Sequence, residues 1–306
     1  MSTLSGHVED YLRLRRGLGF KLERAGHLLP QFCAYLEVAG AATVTSDLAI
    51  AWARLPRHAH PNHWAQRLAI ARGFARYLQT IDPATEVPPP SVFPARRHRP
   101  APYLWSQRDV ARLLEGARAL RPPLRAATHE ALCGLLATSG MRLGEAIGLQ
   151  RDDVDLATGV ITIREAKFDH SRLVPLHPTV TEALSGYAAV RDRLCPRPRS
   201  EAFFLSGAGT TLNRSGVNKT FRKITTAIGV RTATVQPRVH DLRHSFAVQT
   251  LIRWQHSGAN VDERIGVLST YLGHVSPADT YWYLSASPEL MALAAQRLHA
   301  RFGVHR

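Results

Sequence analysis

The sequence contains only three cysteines, Cys33, Cys133 and Cys195, and they lie far apart along its 306 residues. Their spacing fits neither a disulfide framework nor a zinc site, so we expect a reducing compartment, the cytoplasm. No stretch approaches the roughly 18 consecutive apolar residues that a membrane-spanning helix needs. Residues 1–20 are mixed and charged, unlike a secretory signal. These absences argue against a secreted protein and against a membrane protein.

Acidic residues are also scarce. There are 24 Asp and Glu against 39 Lys and Arg, a formal net charge of +15. Arginine supplies most of the excess, and its forked guanidinium group suits phosphate. We therefore expect a polyanionic partner, with nucleic acid well ahead of an anionic membrane surface. The alternative that charge alone leaves open is a basic protein whose arginines only reflect a GC-rich genome.

The distribution of proline predicts two domains. Residues 1–85 show helical periodicity, as in the apolar stripe of Leu28, Phe32 and Leu36. Residues 86–102 then hold six prolines and the basic cluster Arg96–Arg99, a composition typical of an extended linker. A basic linker between two basic domains suits a clamp that closes around a duplex, although it could equally be a solvated tether.

Residues 103–306 form the second predicted domain. Ser106 is placed to cap a helix, and a long apolar helix follows. The period then changes, and Gly159–Arg164 and Arg172–Leu176 have the pattern of two short strands around a turn. Helical periodicity returns after Asn213. We predict a mainly α fold with a small antiparallel β-sheet in this second domain.

Two segments place a cation at a special position. Gly140 breaks one helix and Arg142 opens the next, with Glu145 one turn further on. A guanidinium at such a break can point into a cleft, with the carboxylate fixing its fork; the alternative is an ordinary surface salt bridge. Lys167 lies at the tip of the predicted hairpin, where it could reach over a bound phosphate or be a solvated turn lysine.

The segment His240–Ala247 carries His240 and Arg243 three residues apart, so on a helix they share a face. His240 and His244 are four apart, which also suits zinc. The glutamate of the metalloprotease motif is missing and no third ligand is evident, so we expect no metal here.

A fourth segment runs from Tyr271 to Tyr283. Gly273 ends a helix, His274 follows on the turn, and a new helix should place Tyr283 on its second turn. Tyr281 and Tyr283 are two residues apart and would lie on nearly opposite helical faces, so only one can enter a site. The alternative for Tyr281 is packing in the core.

Taken together, these segments resemble the tyrosine recombinase (phage integrase) family across residues 103–300. The resemblance rests on the T-S-G-M-R-L-G-E, H-x-L-R-H and L-G-H motifs and on a tyrosine nine residues after the last histidine. The lysine also stands five residues before the arginine of R-L-V-P-L, the usual register of the family. It implies a core-binding (SAM-like) domain at the N-terminus and the catalytic residues Arg142, Lys167, His240, Arg243, His274 and Tyr283.

In this family the tyrosine, here Tyr283, attacks a phosphodiester and forms a covalent 3′-phosphotyrosine bond. Two arginines can hold the nonbridging oxygens as fixed, forked donors. His240 and His274 could accept the tyrosine proton or donate to the phosphate, and Lys167 could protonate the leaving 5′-oxygen. Because the covalent bond conserves energy, no cofactor and no metal ion are expected, and no phosphate-binding P-loop is found in the sequence.

The resemblance further implies strand exchange on double-stranded DNA by a homotetramer, with a C-terminal helix at about 288–302 docking into a neighbouring subunit. The expected role is DNA integration or resolution, with a weak preference for a mobile element, and no small-molecule substrate. Two alternatives stay open: DNA relaxation of the type IB topoisomerase kind, and a catalytically idle DNA-binding accessory protein that keeps the fold.

Overall fold

A computed structural model of the chain describes residues 4–94, 101–166, 170–274, 276, 278–285, 290–292, 295, 296 and 299. Clustering of contacts divides it into two compact units, Met1–Arg99 and Pro100–Arg306. The structure is mainly helical with one small antiparallel sheet, as the sequence predicts. Among the described residues, no helix is both long and apolar enough to cross a membrane.

The first unit is a cluster of four helices: α1 (Leu4–Gly17), α2 (Glu23–Val38), α3 (Ser46–Arg54) and α4 (Pro61–Leu78). The hydroxyl of Thr45 caps α3 by accepting a hydrogen bond from the Leu48 amide. The apolar faces meet in one core, where the rings of Phe32 and Trp52 are 4.8 Å apart. The guanidinium of Arg67 lies 3.8 Å from the Trp52 ring, so this cation on α4 is buried.

The beginning of the predicted linker packs against the first unit. The amide of Glu86 donates to the carbonyl of Val44, and its carboxylate accepts from the Ser46 amide. Phe93 is buried in the first core against Trp64. Residues 86–94 are therefore held by specific contacts rather than standing clear as a spacer. The basic cluster Arg96–Arg99 lies outside the described residues.

The second unit begins with α5 (Gln107–Arg118), capped as expected by Ser106, and α6 (Pro123–Ser139). The remaining helices are α7 (Leu143–Gly148), α8 (Pro178–Leu194), α9 (Arg214–Ala227), α10 (Val239–His256), α11 (Val261–Leu272) and α12 (Ala278–Tyr281). A short 3-10 helix, Trp282–Ser285, follows α12. Tyr283 therefore lies in a 3-10 turn and not on the second turn of an α-helix, which corrects the sequence prediction.

The sheet has three strands, one more than the sequence indicated: β1 (Val154–Asp155), β2 (Val160–Ala166) and β3 (His170–Pro175). All neighbours are antiparallel, and β2 and β3 form the predicted hairpin, with Ile163 opposite Arg172. Ile161 and Val174 are fully buried and join the sheet to the helical core. Side chains of successive residues point to opposite faces of a strand, so Arg172 and Val174, two residues apart, lie on the same face.

Helix α6 is the centre of the second unit, and α10 packs along it. Gly140 ends α6 in the left-handed conformation, with φ of +61°. A Cβ atom at this position would lie 2.5 Å from Cδ1 of Phe246 on α10. Both the backbone conformation and the close approach of α10 therefore require glycine.

We expect Gly140→Ala to destabilise the second unit by about 2–4 kcal/mol, because left-handed alanine is strained and its methyl group would overpack against Phe246. Gly186→Ala is a matched control, since Gly186 is an exposed position of α8 with open space around it. The control should stabilise the helix by roughly 0.5–1 kcal/mol. Urea unfolding followed by circular dichroism measures both effects. A loss of only a few tenths of a kcal/mol at Gly140 would show that the constraint is absent.

Candidate active site

Arg142 stands at the entrance to α7, directly after the left-handed turn at Gly140. Its amide donates to Oε2 of Glu145 (2.8 Å), which closes the first turn of the helix. Its guanidinium donates to Oε1 of the same carboxylate (2.8 Å) and to the carbonyl of Gly273 (2.7 Å). The side chain is 36% exposed, so its fork is fixed and still accessible.

Arg243, on α10, is only 2% exposed. Its Nη1 donates to the carbonyl of Gly140 (2.8 Å) and its Nη2 to the carbonyl of Leu272 (2.8 Å). These carbonyls lie at the C-terminal ends of α6 and α11, where helices carry partial negative charge. The two helix ends therefore partly offset the cost of burying this cation.

The end of α11 organises the site. Gly273, with φ of +68°, and His274 donate their amides back to Thr270 and Ser269, which is a Schellman motif. The last three carbonyls then accept from three arginines on three other elements. Arg172 of β3 donates to Tyr271 (3.1 Å), Arg243 of α10 to Leu272, and Arg142 at the start of α7 to Gly273.

His274 leaves this turn with a fixed ring. Its Nδ1 lies 2.6 Å from Oγ1 of Thr280, a fully buried residue of α12. The ring stacks on that of Tyr283 with centroids 6.0 Å apart and planes 21° apart. The hydroxyl of Thr280 thus orients the imidazole toward the tyrosine.

The two neighbouring tyrosines differ sharply in environment. Tyr283 is 2% exposed and interacts with Arg243, whereas Tyr281 is 46% exposed. The expected separation onto different faces is therefore present. Core packing of Tyr281 is not observed, because the short 3-10 turn rotates Tyr283 inward and leaves Tyr281 facing solvent.

His240 is one turn before His244 on α10, and their ring centroids are 4.6 Å apart. The His244 ring in turn packs edge-on against Tyr283 (5.4 Å) and Trp282 (5.1 Å). Among the residues that the structure describes, no three His, Cys, Asp or Glu side chains come together in a way that could hold a metal ion.

Burial and the neighbouring arginine charges shift the pKa values of several groups in the site. Burial, and then the charge of Arg243, lowers the pKa of His240 to about 4 and the pKa of His274 to about 4. The His240 residue as a whole is exposed, so burial alone does not account for its lowered pKa, and the charges of Arg243 and Arg142 act on its ring as well. Both imidazoles are therefore neutral at neutral pH.

Tyr283 and Arg243 affect each other in opposite directions. Burial raises the pKa of the Tyr283 hydroxyl, and the charge of Arg243 and a hydrogen bond from it partly offset that rise. Burial, followed by the charge of Arg142, lowers the pKa of Arg243 to about 10. At neutral pH the pair is thus a protonated phenol beside a charged guanidinium group.

The structure gathers five of the six residues that the sequence singles out, while Lys167 lies outside the described residues. Their catalytic roles stay predictions. The sequence does not single out Thr280, and it uses Arg172 only to define the spacing from Lys167. No sequence motif indicates that Thr280 contacts His274 or that Arg172 contacts Tyr271. Both contacts depend on how the chain turns after α11.

This arrangement suits an anion with several oxygens. Arg142 and Arg243 are fixed donors beside a phenol and two neutral imidazoles, which can exchange protons with it. A phosphodiester would place its nonbridging oxygens on the two guanidinium groups and its phosphorus near the phenol oxygen. Such an arrangement could support nucleophilic attack on phosphorus.

Comparison with known proteins agrees with this chemistry. The profile described as the phage integrase family matches residues 106–289. A putative integrase/recombinase of Sinorhizobium fredii (y4rB) is 44% identical over 99% of each chain. The tyrosine recombinase XerD of Mycobacterium tuberculosis is 34% identical over 72% of this chain and 68% of its own. Among solved structures, the Tn1549 transposon integrase with circular-intermediate DNA has a TM-score of 0.65 at 15% identity, covering 95% of this chain and 99% of the other.

The shifted histidines give a test of the site in the DNA-free protein. We expect the imidazole resonances of His240 and His274 to titrate near pH 4, well below the ordinary value of about 6.5. Proton–carbon NMR spectra recorded against pH measure this, with His240→Asn and His274→Asn variants to assign the signals. Midpoints near 6.5 would mean that neither burial nor the charge of Arg243 acts on these rings in solution.

The same shifts fix how stability depends on pH. The folded protein keeps both imidazoles neutral where the unfolded chain already binds protons, so their contribution is present above about pH 6.5 and is lost as the pH falls toward 4. Urea unfolding between pH 7 and pH 5 should show a decline that is smaller in the double asparagine variant.

Proposed function

The chain belongs to the phage integrase family. We propose that Tyr283 is the nucleophile that cuts DNA, and that it is assisted by Arg142, Arg243, His240 and His274. The protein is a tyrosine recombinase, an enzyme that breaks and rejoins double-stranded DNA at specific sites. The observation that carries the proposal for Tyr283 is its position: it is the tyrosine that lies against Arg243 and His274, whereas Tyr281 faces solvent.

In the first step, the phenol oxygen of Tyr283 attacks the phosphorus of a phosphodiester. A bond forms between this oxygen and the 3′-phosphate, and the bond to the 5′-oxygen breaks. Arg142 and Arg243 hold the nonbridging oxygens, whose negative charge increases in the transition state. Both guanidinium groups are held by backbone carbonyls before DNA binds, so little reorganisation is needed.

A neutral histidine accepts the proton of Tyr283. His240 and His274 both have lowered pKa values, so at neutral pH each has an unprotonated ring nitrogen. His274 stacks on the Tyr283 ring and is oriented by Thr280, which favours it for contact with the phenol. We assign Lys167, as the resemblance implies, to protonation of the leaving 5′-oxygen. Rejoining follows by the reverse sequence with a 5′-hydroxyl from the same or another strand.

We also propose an assembly in which four copies exchange strands between two DNA sites, each copy docking its C-terminal residues, about 288–302, on a neighbour. Residues 1–85 would act as the core-binding domain, with residues 86–102 as the connection to the catalytic domain at 103–306. Both units carry an excess of cations, as two arms of a DNA clamp require. The putative integrase/recombinase to which the chain is similar favours a role in DNA integration, and we propose that this role belongs to a mobile element and takes place in the cytoplasm.

The nucleophile can be identified before the target site is. The unaltered protein, expressed in cells that are then denatured rapidly, should carry covalently bound DNA joined through its 3′ end. Tyr283→Phe should remove this adduct, by at least about 10³-fold, because the attacking oxygen is absent. The matched control, Tyr281→Phe, should keep it. Sequencing of the attached ends then gives the target site.

Two other outcomes would change the assignment. An adduct that persists in Tyr283→Phe and disappears in Tyr281→Phe would make Tyr281 the nucleophile. If the unaltered protein binds one DNA site specifically and forms no adduct, the chain would act as a DNA-binding accessory protein.

A further inference from the structure

The side chain of Arg172, on strand β3, donates hydrogen bonds to two other parts of the site. Its side chain is 11% exposed. Nη1 and Nη2 donate to the two oxygens of Glu145 (3.0 and 2.8 Å), and Nε donates to the carbonyl of Tyr271 (3.1 Å). The guanidinium thus forms a fork on a buried carboxylate together with a bond to a helix end.

Glu145 is shared between two arginines. Each of its oxygens accepts one bond from Arg142 and one from Arg172. Burial alone would raise the pKa of this carboxyl group, but the hydrogen bonds from Arg172 and Arg142 outweigh it, so the pKa is lowered and the group stays ionised. The three side chains therefore carry a net charge of one cation.

Without Arg172 this balance would change. Glu145 and Arg142 would form a closed ion pair with no net charge, and the carboxylate could turn toward Arg142 alone. The attraction of Arg142 for a phosphate oxygen would then fall. In the intact triad, Arg172 neutralises Glu145 and leaves the charge of Arg142 available.

Arg172 also contacts the turn that carries His274. A Cβ atom at Gly273 would lie 2.6 Å from Nη1 of Arg172, so the guanidinium lies directly over this glycine. The carbonyl of the same glycine accepts from Arg142. Arg172 belongs to β3, which pairs with β2, and Lys167 follows β2 in the sequence. One side chain thus links the hairpin, the His274 turn and Arg142.

From these contacts we infer that Arg172 is a positioning residue for DNA cleavage: it balances the charge of Glu145 so that Arg142 can bind the scissile phosphate, and it fixes the β2–β3 hairpin to the His274 turn. This inference rests on the proposed function of Tyr283 and Arg142. Arg172 touches neither the phosphate nor the nucleophile and acts through Glu145 and the backbone at residues 271–273.

The test uses the full-length protein and a DNA duplex containing the site recovered from the Tyr283 adduct, nicked beside the scissile phosphate so that cleavage is trapped. Single-turnover adduct formation is measured for Arg172→Gln and Arg172→Lys. We expect Arg172→Gln to cleave about 10- to 100-fold more slowly, with DNA affinity within about threefold of the unaltered protein. Arg172→Lys should recover only part of the rate, because lysine restores the charge without the fork.

Arg164→Gln is the matched control. Arg164 lies on the neighbouring strand β2 and forms a single ion pair with Asp153 (2.5 Å), but its side chain is 63% exposed. Loss of this pair should leave the cleavage rate within about twofold, since Arg164 pairs with Asp153 and not with Glu145 or the His274 turn. Equal rates for Arg172→Gln, Arg164→Gln and the unaltered protein would overturn the inference.

A second substrate separates positioning from general damage to the fold. In a methylphosphonate diester, one nonbridging oxygen is replaced by methyl and the phosphate charge is lost, so less depends on Arg142. Arg172→Gln should then lose several-fold less rate than on the ordinary phosphodiester. An equal loss on both substrates would indicate a merely structural role and would overturn the inference. If Arg172→Gln melts far below the unaltered protein, Arg172→Lys takes its place in this comparison.

The proposed nucleophile and the role of Arg172 can fail separately. If the unaltered protein forms no adduct in cells, or if its adduct persists in Tyr283→Phe, the proposed nucleophile is wrong and the role of Arg172 falls with it. If it forms the adduct and the Arg172 variants cleave normally, only the role of Arg172 is wrong.

Discussion

The capture of one helix end by three arginines is the interaction on which the site depends. The carbonyls of Tyr271, Leu272 and Gly273 accept from Arg172, Arg243 and Arg142, which come from β3, α10 and the start of α7. A helix end leaves such carbonyls without internal partners and carries partial negative charge. A buried guanidinium needs acceptors to offset its lost hydration. The helix-end carbonyls provide the acceptors that the guanidinium groups need, and the guanidinium groups provide the donors that these carbonyls lack. Three segments that are distant in the sequence are thereby joined around His274, which follows the turn.

This arrangement leaves the site positively charged. Carbonyl groups satisfy the hydrogen-bonding needs of Arg243 without cancelling its charge, as an ion pair with a carboxylate would. The buried carboxylate of Glu145, next to Arg142, is divided between two arginines. Burial and then this uncancelled charge lower the pKa of both histidines, since protonating either ring would add a desolvated cation to a region that already holds Arg243 and Arg142. The same charge makes the cluster complementary to a phosphodiester before DNA arrives.

The sequence predicted the parts that depend on neighbouring residues. The cap at Ser106, the break at Gly140 and the β2–β3 hairpin follow from local patterns, and the motifs around Arg142, Arg243 and Tyr283 indicated the family. The roles of Arg172 and Thr280 could not be predicted in this way. Arg172 meets its acceptor 99 residues further along the chain, and no periodicity encodes that contact. The 3-10 turn at Tyr283 was missed for the same reason, because its ring is held by packing against α10 and the His274 turn rather than by the helix that precedes it.

On the proposed mechanism, the charges of Arg142 and Arg243 keep the site inactive in the DNA-free protein and also make it reactive toward DNA. Tyr283 is buried and protonated, and its hydroxyl interacts with Arg243, the group that should hold the phosphate. A phosphodiester that enters the site competes for Arg243 and releases the phenol. Its negative charge also offsets the fields of Arg142 and Arg243, which raises the proton affinity of the neighbouring imidazoles just when one of them must accept a proton. Binding of the substrate therefore both frees the Tyr283 hydroxyl and raises the pKa of the neighbouring imidazoles. Attack on phosphorus is in this way coupled to the presence of DNA.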